Sequence, residues 1–219
     1  MPGNALPLDI VSDTICPWCW IGKRHLAAAL SLLAAEGLAF SVAWRPFQLN
    51  PAMPAGGVDR HTYRTQKFGS WARSQAMDAQ VAQAGASAGL DFRFDRMIRT
   101  PNTIASHALL RLALEQIGPA GQDQLAETLF AAYFNKGADI GDTAVLTAIG
   151  SVAGIDTAAL SDPATHTAVR AEEAEARRNE LHGVPSFILA GHLLFSGAQP
   201  VDTMVRALRQ ATLARNQAA

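Results

Sequence analysis

Strand-like patterning sits near the two ends of this chain and helical patterning fills the stretch between, and that bracket limits the fold more than any single residue does. Residues 8–12 are apolar and short, as in a strand buried within a parallel sheet. Residues 13–16 break the run. From Pro17 the period turns helical: Leu26, Ala29, Leu30 and Leu33 recur at spacings of three and four, and Gly37 supplies a stop. Residues 40–45 alternate as a second strand, closed by Pro46. Strand, helix and strand in so short a span predict a βαβ unit with a right-handed crossover. At the other end, residues 186–189 and 192–195 flank the turn pair Ala190-Gly191 and predict a hairpin. A last helix is expected over 201–215, with Val205, Leu208 and Thr212 along one side. The expected fold class is therefore α/β, a βαβ start and a ββα end separated by a large all-helical insertion.

Residues 59–181 form that insertion. Helix-stop glycines stand at Gly89, Gly118, Gly137 and Gly154, and Thr100-Pro101 and Asp162-Pro163 have the form of an N-cap followed by a first-turn proline. The stripes Leu125, Leu129, Ala132 and Ile104, Ala108, Leu112 are core packing. The domain division is thus 1–58 with 182–219 for the α/β part and 59–181 for the insertion, whose last helix can belong to either. No internal repeat or low-complexity segment interrupts this.

Charge excludes some partners. Eighteen Lys and Arg against 19 Asp and Glu leave a formal net charge of −1, without the basic concentration that nucleic acid or an anionic membrane requires. No apolar run reaches membrane-spanning length. Residues 1–7 hold no Lys or Arg and do not resemble a secretory signal, so the cytoplasm is the expected compartment. There a lone pair of cysteines three residues apart is catalytic or metal-binding rather than a structural staple.

That pair is Cys16-Pro17-Trp18-Cys19, where the first strand hands over to the first helix. With Cys16 at the N-cap, Pro17 falls at the first helical position, where its missing N–H is no loss. The Cys16 sulfur can then face the free N–H groups of Trp18 and Cys19. Those donors and the positive helix end favour a thiolate, the nucleophilic form. Cys19, one turn on and more buried, is placed to act as the resolving thiol. Cys16 is expected to be the more exposed and more acidic of the two. A zinc site lacks its second ligand pair, since His25, the nearest histidine, lies well along the helix; no metal is expected. Two inert core cysteines are the other alternative, and the strand-to-helix placement with proline between them argues against it.

A second segment, Gly183-Val184-Pro185-Ser186, precedes the late strand. Taken with Cys-Pro-Trp-Cys after a Ser-Asp strand end, and with Ser196-Gly197-Ala198-Gln199 before the last helix, it resembles the DsbA-type thioredoxin-domain family. The likeness is greatest to the cytoplasmic FrnE-like branch, which Pro46-Phe47-Gln48-Leu49-Asn50-Pro51 and Pro101-Asn102-Thr103 also fit. The resemblance covers nearly the whole chain. It implies a thioredoxin-like fold interrupted by a helical domain, with Cys16 as nucleophile, Cys19 as its resolving partner and Pro185 as a cis-proline facing the dithiol. Val184 would pair through its backbone with an extended substrate, and Pro17, Trp18 and Asn102 would complete the substrate side. Trp18 departs from the histidine of periplasmic relatives, which removes a stabiliser of the thiolate. The implied activity is thiol–disulfide exchange or isomerisation on a disulfide- or thiol-containing protein or small molecule. No cofactor is implied beyond the redox-active Cys16–Cys19 pair, glutathione is a candidate co-substrate, and a homodimer is compatible with the pattern. Two other functions share the fold: a glutathione-dependent isomerase or transferase of the 2-hydroxychromene-2-carboxylate isomerase or kappa-class type, and a non-catalytic peptide-binding or chaperone module. The first uses serine in place of the first cysteine, and both cysteines are present here.

Further expectations concern single residues. His182 is read as a loop histidine with no role, the alternative being a place near the dithiol where it tunes protonation. Lys23 and Arg24 form a solvated helix face, as do Glu172, Glu173, Glu175, Arg177 and Arg178. Trp20 is core or docking rim, and Asn102 and Thr103 reach the cleft or cap a helix. The helical block is expected to pack over the dithiol as one wall of a cleft.

Overall fold

A computed structural model describes residues 5–179, 181 and 183–218, with the backbone alone at 216 and 218. His182 lies outside the described residues. Strand β1 (Leu6–Ser12), helix α1 (Pro17–Ala35) and strand β2 (Phe40–Pro46) open the chain, and β5 (Ser186–Leu189), β6 (His192–Ser196) and α7 (Val201–Ala218) close it. The four strands make one sheet in the order β2-β1-β5-β6, with β1 parallel to β2 and antiparallel to β5, and β5 antiparallel to β6. Central position explains the near-continuous apolar run of β1. Leu8 and Ile10 enter the main core with Leu26 and Leu33 of α1 and Met204 and Leu208 of α7. Val11, pointing to the opposite face, packs with Phe47, Ala176 and Leu181.

Between β2 and β5 run β3 (Val58–Asp59), α2 (Arg60–Phe68), α3 (Trp71–Ser87), β4 (Arg99–Thr100), α4 (Ile104–Phe134), α5 (Thr143–Val152) and α6 (Pro163–Arg178). The block is helical apart from one short ribbon, the antiparallel pairing of Val58 with Thr100 and Asp59 with Arg99. That ribbon corrects the reading of Thr100-Pro101 as a helix start. Thr100 is in a strand, and α4 begins four residues later at Ile104, with Thr103 at its N-cap. Asp162-Pro163 does open a helix, the Asp162 side chain accepting from Ala164 N–H. Gly118, at φ 72° and followed by Pro119, breaks α4 into two limbs, which glycine's access to positive φ permits.

The second limb of α4 docks on the opening βαβ unit through buried polar contacts. Gln122 is buried at the sheet's β2 edge, where its side-chain oxygen accepts from Trp44 N–H at 2.8 Å. Its amide nitrogen donates to Trp44 O at 3.0 Å and Leu110 O at 3.1 Å. It replaces the neighbour that an edge strand lacks. Lys23 is buried and pairs with Asp123 at 2.7 Å, while Arg24 pairs with Glu127, so Lys23 is not on a solvated face: the acidic side chains of α4 cover it. Trp20 is core, stacked on Phe130 and Phe134, with its indole N–H on Glu127. Within the charge run of α6, Glu173 is likewise buried, because it accepts from Gln48 N–H at 3.0 Å and from Arg177 at 2.7 Å.

Candidate active site

Cys16 has extended backbone (φ −90°, ψ 113°) and serves as the N-cap of α1, with Pro17 at the first helical position. Cys19 N–H donates to Cys16 O at 3.1 Å, closing the first turn. Both sulfurs are free thiols. Cys16 makes no side-chain cap hydrogen bond, which corrects the expectation that its sulfur faces the Trp18 and Cys19 N–H groups. Its Sγ lies 3.7 Å from Val184 O instead. A neutral thiol donates, and the carbonyl is the acceptor within reach, whereas amide donors attract the thiolate. Cys16 is 4% exposed and lines a cavity; Cys19 is fully buried behind it. Burial pushes the Cys19 thiol well above its ordinary pKa, and the neighbouring Cys16 adds to the rise, while contacts to Ser12 and to the Asp13 backbone partly oppose it.

The Val184–Pro185 peptide bond is cis, and Pro185 is buried. Its ring lies over Gly22, where an added Cβ would stand 3.1 Å from Pro185 Cγ and 3.5 Å from Phe187 Cζ. Gly22 therefore sets how closely the proline segment approaches α1. It was missed in the sequence, although a lone glycine inside an apolar helix is a signal of close approach.

Asp13 was missed as well. It is fully buried. Its Oδ2 accepts from Leu49 N–H at 2.7 Å, and its Oδ1 accepts from Ile15 N–H at 3.4 Å. His107 Nε2 stands 3.5 Å from the same Oδ1 and 3.2 Å from Phe47 O. Thr14 and Ser106 hydroxyls meet at 2.8 Å beside them. One carboxylate thus ties the turn before the dithiol to residues 47–49. Nothing in its local sequence signals this, because its partners are 36 and 94 residues away.

The cavity has a volume of about 330 Å³ and lies between residues 15–18, 49–50 and 183–184 on one side and the helical block on the other. The block does form a wall beside Cys16. Trp18 stands at its mouth, 43% exposed. Pro17, Trp18 and Val184 share this lining, but Asn102 does not. Asn102 donates to Met53 O at 2.6 Å and accepts from Ile104 N–H at 2.9 Å, so its amide is committed to holding the start of α4, a correction to its placement on the substrate side. Among the described residues no three His, Cys, Asp or Glu side chains converge as ligands for an ion, and no helix is long and apolar enough to cross a membrane.

Several solved structures share the fold. A protein of Streptomyces coelicolor described as a probable DsbA oxidoreductase is 32% identical, with a TM-score of 0.82, and the match covers 94% of this chain and 89% of that one. A 2-hydroxychromene-2-carboxylate isomerase is 12% identical, with a TM-score of 0.69 over 98% of this chain and all of the other. The cytosolic disulfide reductase DsbM of Pseudomonas aeruginosa, solved also with GSH, is 22% identical, with a TM-score of 0.65 over 95% of this chain and all of its own. The description "DSBA-like thioredoxin domain" matches residues 7–209, and by that match the chain belongs to the DSBA-like thioredoxin domain family.

Proposed function

We propose that this protein exchanges disulfides through Cys16 and Cys19. One observation carries the reading: Cys16 stands at a helix N-cap on the wall of a cavity, with Cys19 fully buried one turn behind it. In the reducing direction the Cys16 thiolate attacks one sulfur of the partner's disulfide. A bond forms to Cys16, the partner's S–S bond breaks, and the departing thiolate takes up a proton. Cys19 then attacks the Cys16 sulfur, closing the internal disulfide and releasing the second partner thiol. Two electrons and two protons pass from the dithiol to the partner. The raised pKa of Cys19 fits the order of events. Cys19 stays protonated while Cys16 attacks. Once Cys16 is in a mixed disulfide it no longer bears the charge that helps hold the Cys19 proton.

Pro185 offers the thiolate no N–H, charge or metal ligand, and the Val184 backbone, with Trp18 and Pro17, forms the edge along which a partner lies. Partners are thiol- or disulfide-bearing proteins or small molecules, glutathione included, and the cytoplasm is the compartment this reading assigns. The likeness to the isomerase at 12% identity is one of fold, and the paired cysteines favour exchange over that chemistry. The test is reduction of insulin disulfides and of 2-hydroxyethyl disulfide. Cys16→Ser should lose turnover, and Cys19→Ser should accumulate a mixed disulfide on Cys16. Full activity in Cys16→Ser would refute the reading.

A further inference from the structure

The charge of the cavity comes from one face of α2. Arg60, Arg64 and Lys67 stand at spacings of four and three on that helix, so they share a side, and all three line the cavity that Cys16 lines. Asp78 is the only acidic side chain among the described lining residues. Its two oxygens are divided between two guanidiniums, Oδ2 accepting from Arg60 at 2.5 Å and Oδ1 from Arg64 at 2.5 Å. Arg60 is buried and lies 5.6 Å from the Trp71 ring centroid and 5.5 Å from that of Phe94. One carboxylate cannot neutralise both arginines, and Arg64 is the one that keeps access to solvent. Among the described residues Lys67 meets no carboxylate: its ammonium donates to Asn50 Oδ1 at 3.0 Å and to the Tyr63 hydroxyl at 2.6 Å, both neutral. Charge left unbalanced in a partly enclosed site is unfavourable. Accordingly, burial lowers the Arg64 guanidinium from its ordinary pKa, with Asp78 opposing the fall and Arg60 adding to it. An anion in the cavity relieves this.

On the exchange reading above, we infer that the substrate disulfide carries carboxylates beside its sulfurs, and that Arg64 and Lys67 hold them while Cys16 attacks. Guanidinium and ammonium donors on carboxylates are the stronger class of hydrogen bond, and a cavity of about 330 Å³ accepts a ligand of small-molecule size. The shared chemistry is an acidic disulfide, whether a free small molecule or an acidic segment flanking a protein cysteine. A cationic disulfide meets like charge and is disfavoured.

The test is a single-turnover measurement. The protein is reduced, freed of reductant and mixed with glutathione disulfide (dianionic), cystamine (dicationic) or 2-hydroxyethyl disulfide (neutral). Each rate is divided by that of a free small thiol with the same disulfide, then referred to the neutral compound. The expected result is a preference for glutathione disulfide over cystamine of about tenfold or more, the effect of one charge-assisted hydrogen bond. It should shrink in high salt and fall about tenfold in Arg64→Gln and in Lys67→Gln. Lys67 is exposed, so its variant is not expected to disturb folding. A preference absent in the wild type, or unaltered in both variants, overturns the inference. Reference to the neutral disulfide removes any effect of the cations on the thiolate itself. Failure of the neutral disulfide to react at all would instead count against the exchange reading. Disulfide-linked peptides with Glu or Lys beside the cysteine separate the sources. Discrimination among them assigns an acidic protein segment, and discrimination confined to glutathione disulfide assigns a small molecule.

Discussion

Because Cys19 is buried as a neutral thiol, the reduced protein should lose stability in mild alkali. Its pKa in the fold is raised well above 9.0, first by burial and then by the hydrogen bond with Cys16. In the unfolded chain a cysteine ionises near pH 8.5. The raised value means that the folded state keeps a proton which the unfolded state gives up. The contribution is therefore present in full below the unfolded pKa and is lost as pH rises from there through the folded value. Through that window the difference between the two states grows towards one proton, so the fall in stability steepens towards about 1.4 kcal/mol for each pH unit. Between about pH 8.5, where the unfolded cysteine is half ionised, and pH 9.5 the wild type should lose about 1 kcal/mol relative to Cys19→Ala, a sizeable part of a total near 5–15 kcal/mol. Urea unfolding under a phosphine reductant at pH 7.5, 8.5 and 9.5 measures it. Tyr133, also pushed up by burial, titrates in both proteins and cancels in the difference. If the two stability curves run parallel over this window, Cys19 is not held as a buried neutral thiol and the division of roles between the sulfurs fails.

Three further outcomes are expected. Gln122→Leu leaves the Trp44 N–H and two carbonyls without their partner, and at about 1–3 kcal/mol for each buried unpaired group it should cost about 3–5 kcal/mol; a loss under about 1 kcal/mol in urea unfolding would show that water replaces the amide. Gly22→Ala gains about 1 kcal/mol of helix propensity but places its Cβ 3.1 Å from Pro185 Cγ, so stability should change little while the stopped-flow rate of disulfide exchange falls severalfold. Asp13→Ala frees Leu49 N–H and Ile15 N–H inside the protein and should cost about 2–4 kcal/mol, read by thermal unfolding.

The βαβ opening and ββα close were legible in the sequence because their signals are local. Period two and period 3.6, a proline after a cap, and a two-residue turn each show within a few positions, and Asp162-Pro163 was readable for the same reason. The ribbon of Val58–Asp59 with Arg99–Thr100 was not, because each strand is two residues long and its partner is some 40 positions away. The buried charges were misread on the same ground. Lys23 and Glu173 have polar neighbours in sequence, and only the docking of α4 and of residues 47–48 covers them. At the site, the sulfurs and the Val184-Pro185 segment carried recognisable chemistry. Gly22, Asp13 and the cationic face of α2 did not, since a polar helical stripe looks the same whether it faces water or a cavity.

The walls of the cavity are held in different ways, and this divides the work between them. The α4 wall is fixed to the dithiol's own helix: Trp20 packs on Phe130 and Phe134 in one continuous core, and Lys23 and Trp44 converge on Asp123. Moving it would expose aromatic surface and break a partly buried ion pair, so it keeps the sulfur geometry constant. The lip at residues 47–49 is fixed to the turn before Cys16 by Asp13, and to α6 by Glu173, which accepts from Gln48 N–H. The α2 wall packs chiefly on α3, β3 and β4 within the insertion, and beside the lip Tyr63 and Lys67 donate to Asn50. Substitutions along α2 can therefore change the charge offered to a partner without moving Cys16, Cys19 or Pro185. On the function proposed above, the chemistry of exchange rests on the elements at the chain's two ends, and the choice of partner on the helix inserted between them.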